Sequence, residues 1–170
     1  EFDAQLTITS NDAADSTAIV NLAARVGDVI PNSGVRINEF MASNGLTLSD
    51  GDGNSSDWIE IYNAGPGGAD LTGYYLTDEA DNLEKWRFPS TTIIPANGYL
   101  LVFASGQSSD DYVDAGGFLH ANFRLGTSGE YLALVEGNGV TVVSEFGPTF
   151  PPQFNDVSYG AFQSGGSVSN

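Results

Sequence analysis

Cysteine is absent from the 170 residues, which excludes disulfides, thiolate metal sites and a cysteine nucleophile and leaves the redox compartment open. Positive charge is scarce. Five Lys and Arg stand against 22 Asp and Glu, for a formal net charge of −17. Such a field repels phosphate backbones and anionic lipid, so no nucleic-acid partner is expected. Histidine occurs once, at His120. A lone histidine supports neither a histidine metal site nor a Ser-His-Asp triad, and it is expected at the surface or on a strand edge. Nor does the chain carry a Gly-x-Ser-x-Gly elbow, a Walker loop or an HExxH pair, so enzyme activity is not expected. No apolar run approaches the ~20 residues of a membrane-spanning helix. The first residues already read as strand, with no leader before them, which predicts a segment of a longer protein.

What remains suits a β-sheet protein. Apolar residues make up 41%, with 10 Phe, 7 Tyr and 2 Trp, enough for a real core. Helical periodicity is almost missing. Short β-branched and aromatic runs recur between Gly, Asn, Asp and Pro clusters, the pattern of a sandwich or barrel. Strands are predicted at Gln5–Ser10, Thr17–Ala24, Val35–Ala42, Trp58–Asn63, Gly73–Thr77, Lys85–Pro89, Tyr99–Ala104, Ala121–Leu125, Tyr131–Glu136 and Thr141–Glu145. Alternation within Trp58-Ile-Glu-Ile-Tyr-Asn63 predicts one buried and one partly solvated face, whereas Tyr99-Leu-Leu-Val-Phe-Ala104 is apolar on both. Pro95-Ala-Asn-Gly98 and Glu136-Gly-Asn-Gly139 read as tight turns.

Composition also divides the chain. Residues 1–27 hold two strands about the turn Ser10-Asn-Asp-Ala-Ala-Asp-Ser-Thr17, a unit too small to bury a core alone. Residues 28–34 have linker composition, residues 35–160 form the main domain, and 161–170 read as a linker or tail.

The strongest candidate for a site is Asp50-Gly-Asp-Gly-Asn-Ser-Ser-Asp57, where oxygen ligands alternate with small residues as in loops that wrap a hard cation. Asp50, Asp52 and Asn54 keep the 1-3-5 spacing of an EF-hand, but Ser55 stands at the sixth position and Ile61 at the twelfth, so it is not one. Two readings stand: a solvated, turn-forming loop, or a Ca²⁺ site. The second gains from the acidic loop Thr77-Asp-Glu-Ala-Asp-Asn82. If Trp58–Asn63 and Gly73–Thr77 paired as a hairpin, Asp57 would lie beside Thr77. Asp50, Asp52, Asp57, Asp78 and Asp81 would then gather at one end, repelling one another without a cation. The metal set so predicted is Asp50, Asp52, Asn54, Asp57, Asp78 and Asp81, with Ca²⁺ as the cofactor.

Two other features bear on partners. Trp58, Tyr62, Tyr74, Tyr75, Trp86 and Tyr99 could stack on sugar rings or a protein surface, although alternation allows at most half of them one face, and a core needs several. Arg36, Lys85, Arg87 and Arg124 are expected to pair with surplus carboxylates.

From Val35 onward the chain resembles the lamin tail domain, an Ig-like β-sandwich family. The resemblance rests on Val35-Arg-Ile-Asn-Glu-Phe-Met-Ala-Ser-Asn44, Asp57-Trp-Ile-Glu-Ile-Tyr-Asn63, Leu71-Thr-Gly-Tyr-Tyr-Leu-Thr-Asp78, Trp86-Arg-Phe-Pro89, Ile94–Gly106, Asn122-Phe-Arg-Leu125 and Gly129-Glu-Tyr-Leu-Ala-Leu-Val135, in family order. Residues 1–27 resemble the closing hairpin of a preceding Ig-like repeat of bacterial surface proteins. The resemblance implies an all-β, Ig-like sandwich with an extra N-terminal hairpin. It also implies a non-catalytic spacer, targeting or adhesion module of a secreted or cell-surface bacterial protein, with a protein, cell-surface or matrix component as partner. A carbohydrate-binding accessory module of an extracellular hydrolase is the alternative. Nucleic-acid binding, attributed to some lamin tails, is not expected at this charge.

Overall fold

A computed structural model describes residues 34–109 and 111–160 in full, and residues 2–9 and 17–24 as backbone. The turn at 10–16, most of the linker and the tail from 161 lie outside the described residues. The chain divides into two compact units, Glu1–Pro31 and Asn32–Asn170. The first is a two-stranded antiparallel hairpin of β1 (Phe2–Thr9) and β2 (Thr17–Ala24), in register from Phe2↔Ala24 to Thr9↔Thr17.

The second unit is all-β. Its elements are β3 (Val35–Met41), β4 (Asp57–Asn63), β5 (Ala69–Asp70), β6 (Tyr75–Thr77), β7 (Trp86–Arg87), β8 (Ile93–Ile94), β9 (Tyr99–Ala104), β10 (Leu119–His120), β11 (Leu132–Val135), β12 (Val142–Phe146) and β13 (Tyr159–Gly160). One sheet has five strands in the order β10-β9-β4-β3-β13, a second has four in the order β12-β11-β6-β7, and β5 pairs with β8. The arrangement matches an Ig-like β-sandwich.

The alternation read from the sequence sets what faces inward. Ile59 and Ile61 of β4 are buried while Trp58, Glu60 and Tyr62 are only partly so. They join Ile37, Phe40 and Val102 of the five-stranded sheet and Leu76, Trp86, Leu132 and Leu134 of the four-stranded sheet in one core. Each large apolar side chain removed from water stabilises the fold by about 1.5–3 kcal/mol. Both tight turns form as read: Gly98 N donates to Pro95 O at 2.9 Å, and Gly139, at φ +69°, donates to Glu136 O at 2.9 Å between β11 and β12.

Two expectations are corrected. The strand predicted at Ala121–Leu125 is instead β10, two residues earlier and parallel to β9, with Ala121, Phe123 and Leu125 continuing as buried irregular chain. Periodicity alone gave apolar alternation there, which an irregular buried segment satisfies equally. The supposed hairpin of Trp58–Asn63 with Gly73–Thr77 does not form. β4 pairs with β3 and β9, whereas β6 lies in the other sheet against β11 and β7. The chain crosses between sheets after Asn63, whose side-chain amide donates to the carbonyls of Gly67 and Ile94 and anchors that crossing.

Candidate functional site

β9 has an apolar outer face as well as an inner one, and something must cover it. Tyr112 and Phe118, from the chain that follows it, do so with His120. Phe118 meets Phe103 edge-on at 5.3 Å, His120 stacks on the same ring at 5.5 Å, and Tyr112 packs on His120 at 5.2 Å. This small second core closes one wall of a cleft of about 610 Å³, bordered by Asp50, Asp52, Asp57, Ser105, Tyr112 and Arg124 among others.

His120 is only 2% exposed, contrary to the surface position expected for it, although it does occupy an edge strand. Its Nε2 lies 3.0 Å from Asp114 Oδ2 and its Nδ1 2.9 Å from Ser105 Oγ. Asp114 also accepts the amides of Gly51 at 2.6 Å, Gly116 at 2.8 Å and Phe118 at 2.9 Å. Burial pushes its carboxyl up, but the hydrogen bonds from His120, Phe118, Gly51 and Gly116 outweigh burial and bring it to about 2. Asp114 is therefore ionised at neutral pH. In the neutral imidazole, Nε2–H donates to Asp114, and Nδ1 accepts from the Ser105 hydroxyl.

Serine, histidine and aspartate thus stand in line, yet the surroundings of Ser105 do not make it a nucleophile. The amides that follow it, Gly106 N and Gln107 N, donate to the carbonyls of Phe123 and Ala121 at 2.9 and 3.2 Å. Neither can stabilise an oxyanion in front of Oγ. The array fastens loops. A Cβ on Gly51 would fall 2.1 Å from Gly116 N, so only glycine lets the acidic loop back this closely onto 114–116.

Within the acidic loop, Asp50 is buried and its carboxylate accepts Asp52 N at 3.1 Å, Asn54 N at 2.8 Å and Ser56 Oγ at 3.2 Å. This is an aspartate organising its own turn. Asp52 accepts the Tyr112 hydroxyl, which raises the tyrosine's pKa. Asp57 opens β4, and its Oδ2 accepts Leu125 N at 3.1 Å. Burial pushes Asp57 up, against the opposing pull of the Leu125 and Asn44 amides and the Arg124 charge.

The second acidic loop is tied separately. Lys85 Nζ lies 2.6 Å from Asp78 Oδ1 and 2.6 Å from Glu79 Oε1, the pairing expected of it, whereas Arg36 lies over Tyr62 and Arg124 Nε donates to Ser105 O at 2.8 Å. Thr77 Oγ1 donates within its own loop, to Asn82 O at 2.8 Å, and Asp81 is exposed. Glu130, absent from the expected set, is the carboxylate that senses both loops. Burial raises it, the Gly126 amide lowers it, and the charges of Asp78 and Asp57 raise it further. Among the described residues, no group of three or more His, Asp or Glu is placed to hold a metal ion. No helix among them is long and apolar enough to cross a membrane.

The expected aromatic set is dispersed. Trp86 is in the core, whereas Tyr62 and Tyr99 are opposed on β4 and β9, 4.6 Å apart, with Arg36 over Tyr62 at 4.7 Å and Tyr99 54% exposed.

No curated protein matches the chain. The lamin tail domain family does, over residues 29–149, and its members are non-catalytic structural and interaction modules, as the inward-turned array at Ser105 would suggest. With well over half its length matched and an Ig-like sandwich beneath the match, this chain belongs to the lamin tail domain family.

Proposed function

We propose that the domain is a structural and protein-interaction module of a larger secreted or cell-surface bacterial protein, holding it to a protein or matrix partner. The observation that carries this reading is how the ionisable groups around the cleft are used. Asp114, His120 and Asp50 are spent on fastening loops, which leaves a rigid, acidic surface rather than a reacting centre. The residues at 1–27 and 161–170 then serve as a hairpin of a preceding Ig-like domain and a linker or tail. Deletion of residues 35–160 from the full-length protein is the test. Retention at the cell surface or matrix should fall while the activity of neighbouring domains per molecule is unchanged. Lost activity with normal retention would overturn the reading.

Ca²⁺ stabilisation is a separate element of this proposal, supported by the Asp50, Asp52, Asn54 spacing in a loop that borders the same cleft as Asp57. With β4 and β6 in different sheets, Asp78 and Asp81 no longer gain support from strand pairing. A Tm raised by Ca²⁺ and lowered by EDTA at neutral pH is expected, and an unchanged Tm would remove calcium. The alternative, a carbohydrate-binding accessory module, is favoured by the exposed ring of Tyr99 at the end of the Arg36–Tyr62–Tyr99 stack. Glycan-array binding lost on Tyr99→Ala would support it.

A further inference from the structure

Turns of a soluble domain are ordinarily polar, and a singly exposed apolar residue needs no explanation. Here Leu46 is 92% exposed, Phe154 75% and Val157 53%, on two segments that are bound to each other. Asp156 fastens them. Its Oδ1 accepts Gly45 N at 2.6 Å and Leu46 N at 2.8 Å, its own amide donates to Ser43 O at 2.8 Å, and Ser43 Oγ donates to Asn155 Oδ1 at 2.7 Å. Asp156 takes the left-handed backbone, φ +58°, which aspartate tolerates better than most residues and which turns Phe154 and Val157 about it. On the other side, Asn44 accepts Leu48 N at 3.2 Å and donates to Ser56 O at 2.9 Å, so the Leu46 loop is held from both directions. The apolar side chains are presented by a fixed backbone that has little entropy left to lose on binding.

We infer that Leu46, Phe154 and Val157 form a preorganised anchor that enters an apolar pocket with a basic rim on a different protein. This rests on the interaction-module reading above and names the surface through which it acts. Together the three exposed residues present roughly 300–400 Å², within the range of the largest apolar patch on a typical monomer, which is often functional. Joining two copies patch to patch would set two acidic surfaces against each other. It would also bring together two chains of charge −17. Charge excludes an anionic membrane for the same reason. The carboxylates bordering the patch, Asp156 and Glu39 (which accepts the Ser158 hydroxyl), select Lys or Arg around the partner's pocket.

The test is selection of a random dodecapeptide phage library on the full chain, with the triple variant Leu46→Ser, Phe154→Ser, Val157→Ser alongside. Enriched peptides should combine Leu, Phe or Trp with Lys or Arg. They should bind the variant at least tenfold more weakly and weaken as salt rises. Melting curves check the variant's fold, and if the triple variant melts early, Leu46→Ser alone, at 92% exposure, carries the comparison. Peptides that bind the variant equally well overturn the anchor while leaving an interaction module in place. A library with no enrichment overturns the anchor, and the retention assay above then decides the interaction-module reading by itself. Co-sedimentation with phosphatidylcholine vesicles that the variant loses would assign the patch to lipid and overturn it. So would a wild-type dimer in sedimentation equilibrium that the variant loses.

Discussion

Asp114 and Glu130 are both carboxylates near irregular chain in one small domain, and their environments push them in opposite directions. Asp114 collects three backbone amides and an imidazole, and these hold it at about 2 in spite of burial. Glu130 collects one amide, from Gly126 at 2.7 Å, and faces the charges of Asp78 and Asp57, so burial and repulsion raise it. What decides the sign is the number of donors aimed at the carboxylate, not how acidic its neighbourhood looks in sequence. One carboxylate is a structural fastening. The other is a tolerated strain.

Removing the fastening should have the largest effect. Asp114→Ala leaves the Gly51, Gly116 and Phe118 amides and the His120 Nε2–H without their acceptor, and loss of a buried charged partner costs about 3–5 kcal/mol. For a domain of this size that is a Tm drop of roughly 10 °C or more. His120→Ala should cost less, and in the double variant the costs should fall well short of additive. Additive costs in a thermal-melt cycle would mean that the pair is not coupled.

Gly51→Ala comes next. The added methyl would meet the Gly116 amide and Asp114, both fixed by the same hydrogen bonds, so the loop must shift. A cost of about 1–3 kcal/mol is expected, the range for forced overpacking. Gly53, at φ +85° but with open space around it, should tolerate alanine better in the same melting assay despite its backbone.

These partners were hidden in the sequence for a definable reason. The alternation of Trp58–Asn63, the turn at Pro95–Gly98 and the hairpin at Glu136–Gly139 are local, and each was legible because period-2 burial and left-handed glycine need no distant partner. The all-β class followed from such features, and the Ig-like sandwich from the resemblance to the lamin tail domain. Asp114 and His120 are six residues apart, but their importance comes from Gly51, 63 residues before Asp114, and no spacing rule connects those positions. Whether β4 and β6 pair was left open by the sequence likewise. A Gly- and Pro-containing turn between two strands looks the same whether the chain reverses within a sheet or crosses to the other. Asn63, buried and bonded across that crossing, was the residue that could have told them apart. Exposed Leu46 and Phe154 gave no signal either, since an apolar residue in a loop reads as core until its exposure is seen.

The two carboxylate environments also predict the pH profile. Asp114 is depressed, so its stabilisation is complete above its ordinary value of 3.8 and is lost as pH falls towards about 2. Asp57 and Glu130 are raised, so what they contribute is present at low pH and lost as pH climbs through their folded values. The net charge of −17 adds self-repulsion at high pH in the same direction. Tm should therefore rise as pH is lowered from neutrality towards the ordinary carboxylate range and fall again below 3.8, as Asp114 takes up its proton. A Tm that only falls as pH is lowered from 7 would count against any contribution from the raised pair.

The smallest effect isolates the strained side of the comparison. Glu130→Gln keeps a side-chain oxygen for the Gly126 amide and removes the charge that opposes Asp78 and Asp57. The variant should be more stable than wild type at pH 7, by up to about 0.5 kcal/mol after solvent screening of a partly exposed group. The gain should shrink as pH falls, because Glu130, raised above its ordinary value, takes up its proton earlier than a free glutamate does. It should also shrink in high salt. Lys85, near Asp78, pulls Glu130 the other way, so Lys85→Ala should enlarge the gain from Glu130→Gln. If Glu130→Gln instead destabilises equally at pH 4 and pH 7, the carboxylate is held by shape and hydrogen bonding alone. The contrast with Asp114 would then lie in how many bonds each makes, not in the sign of its field.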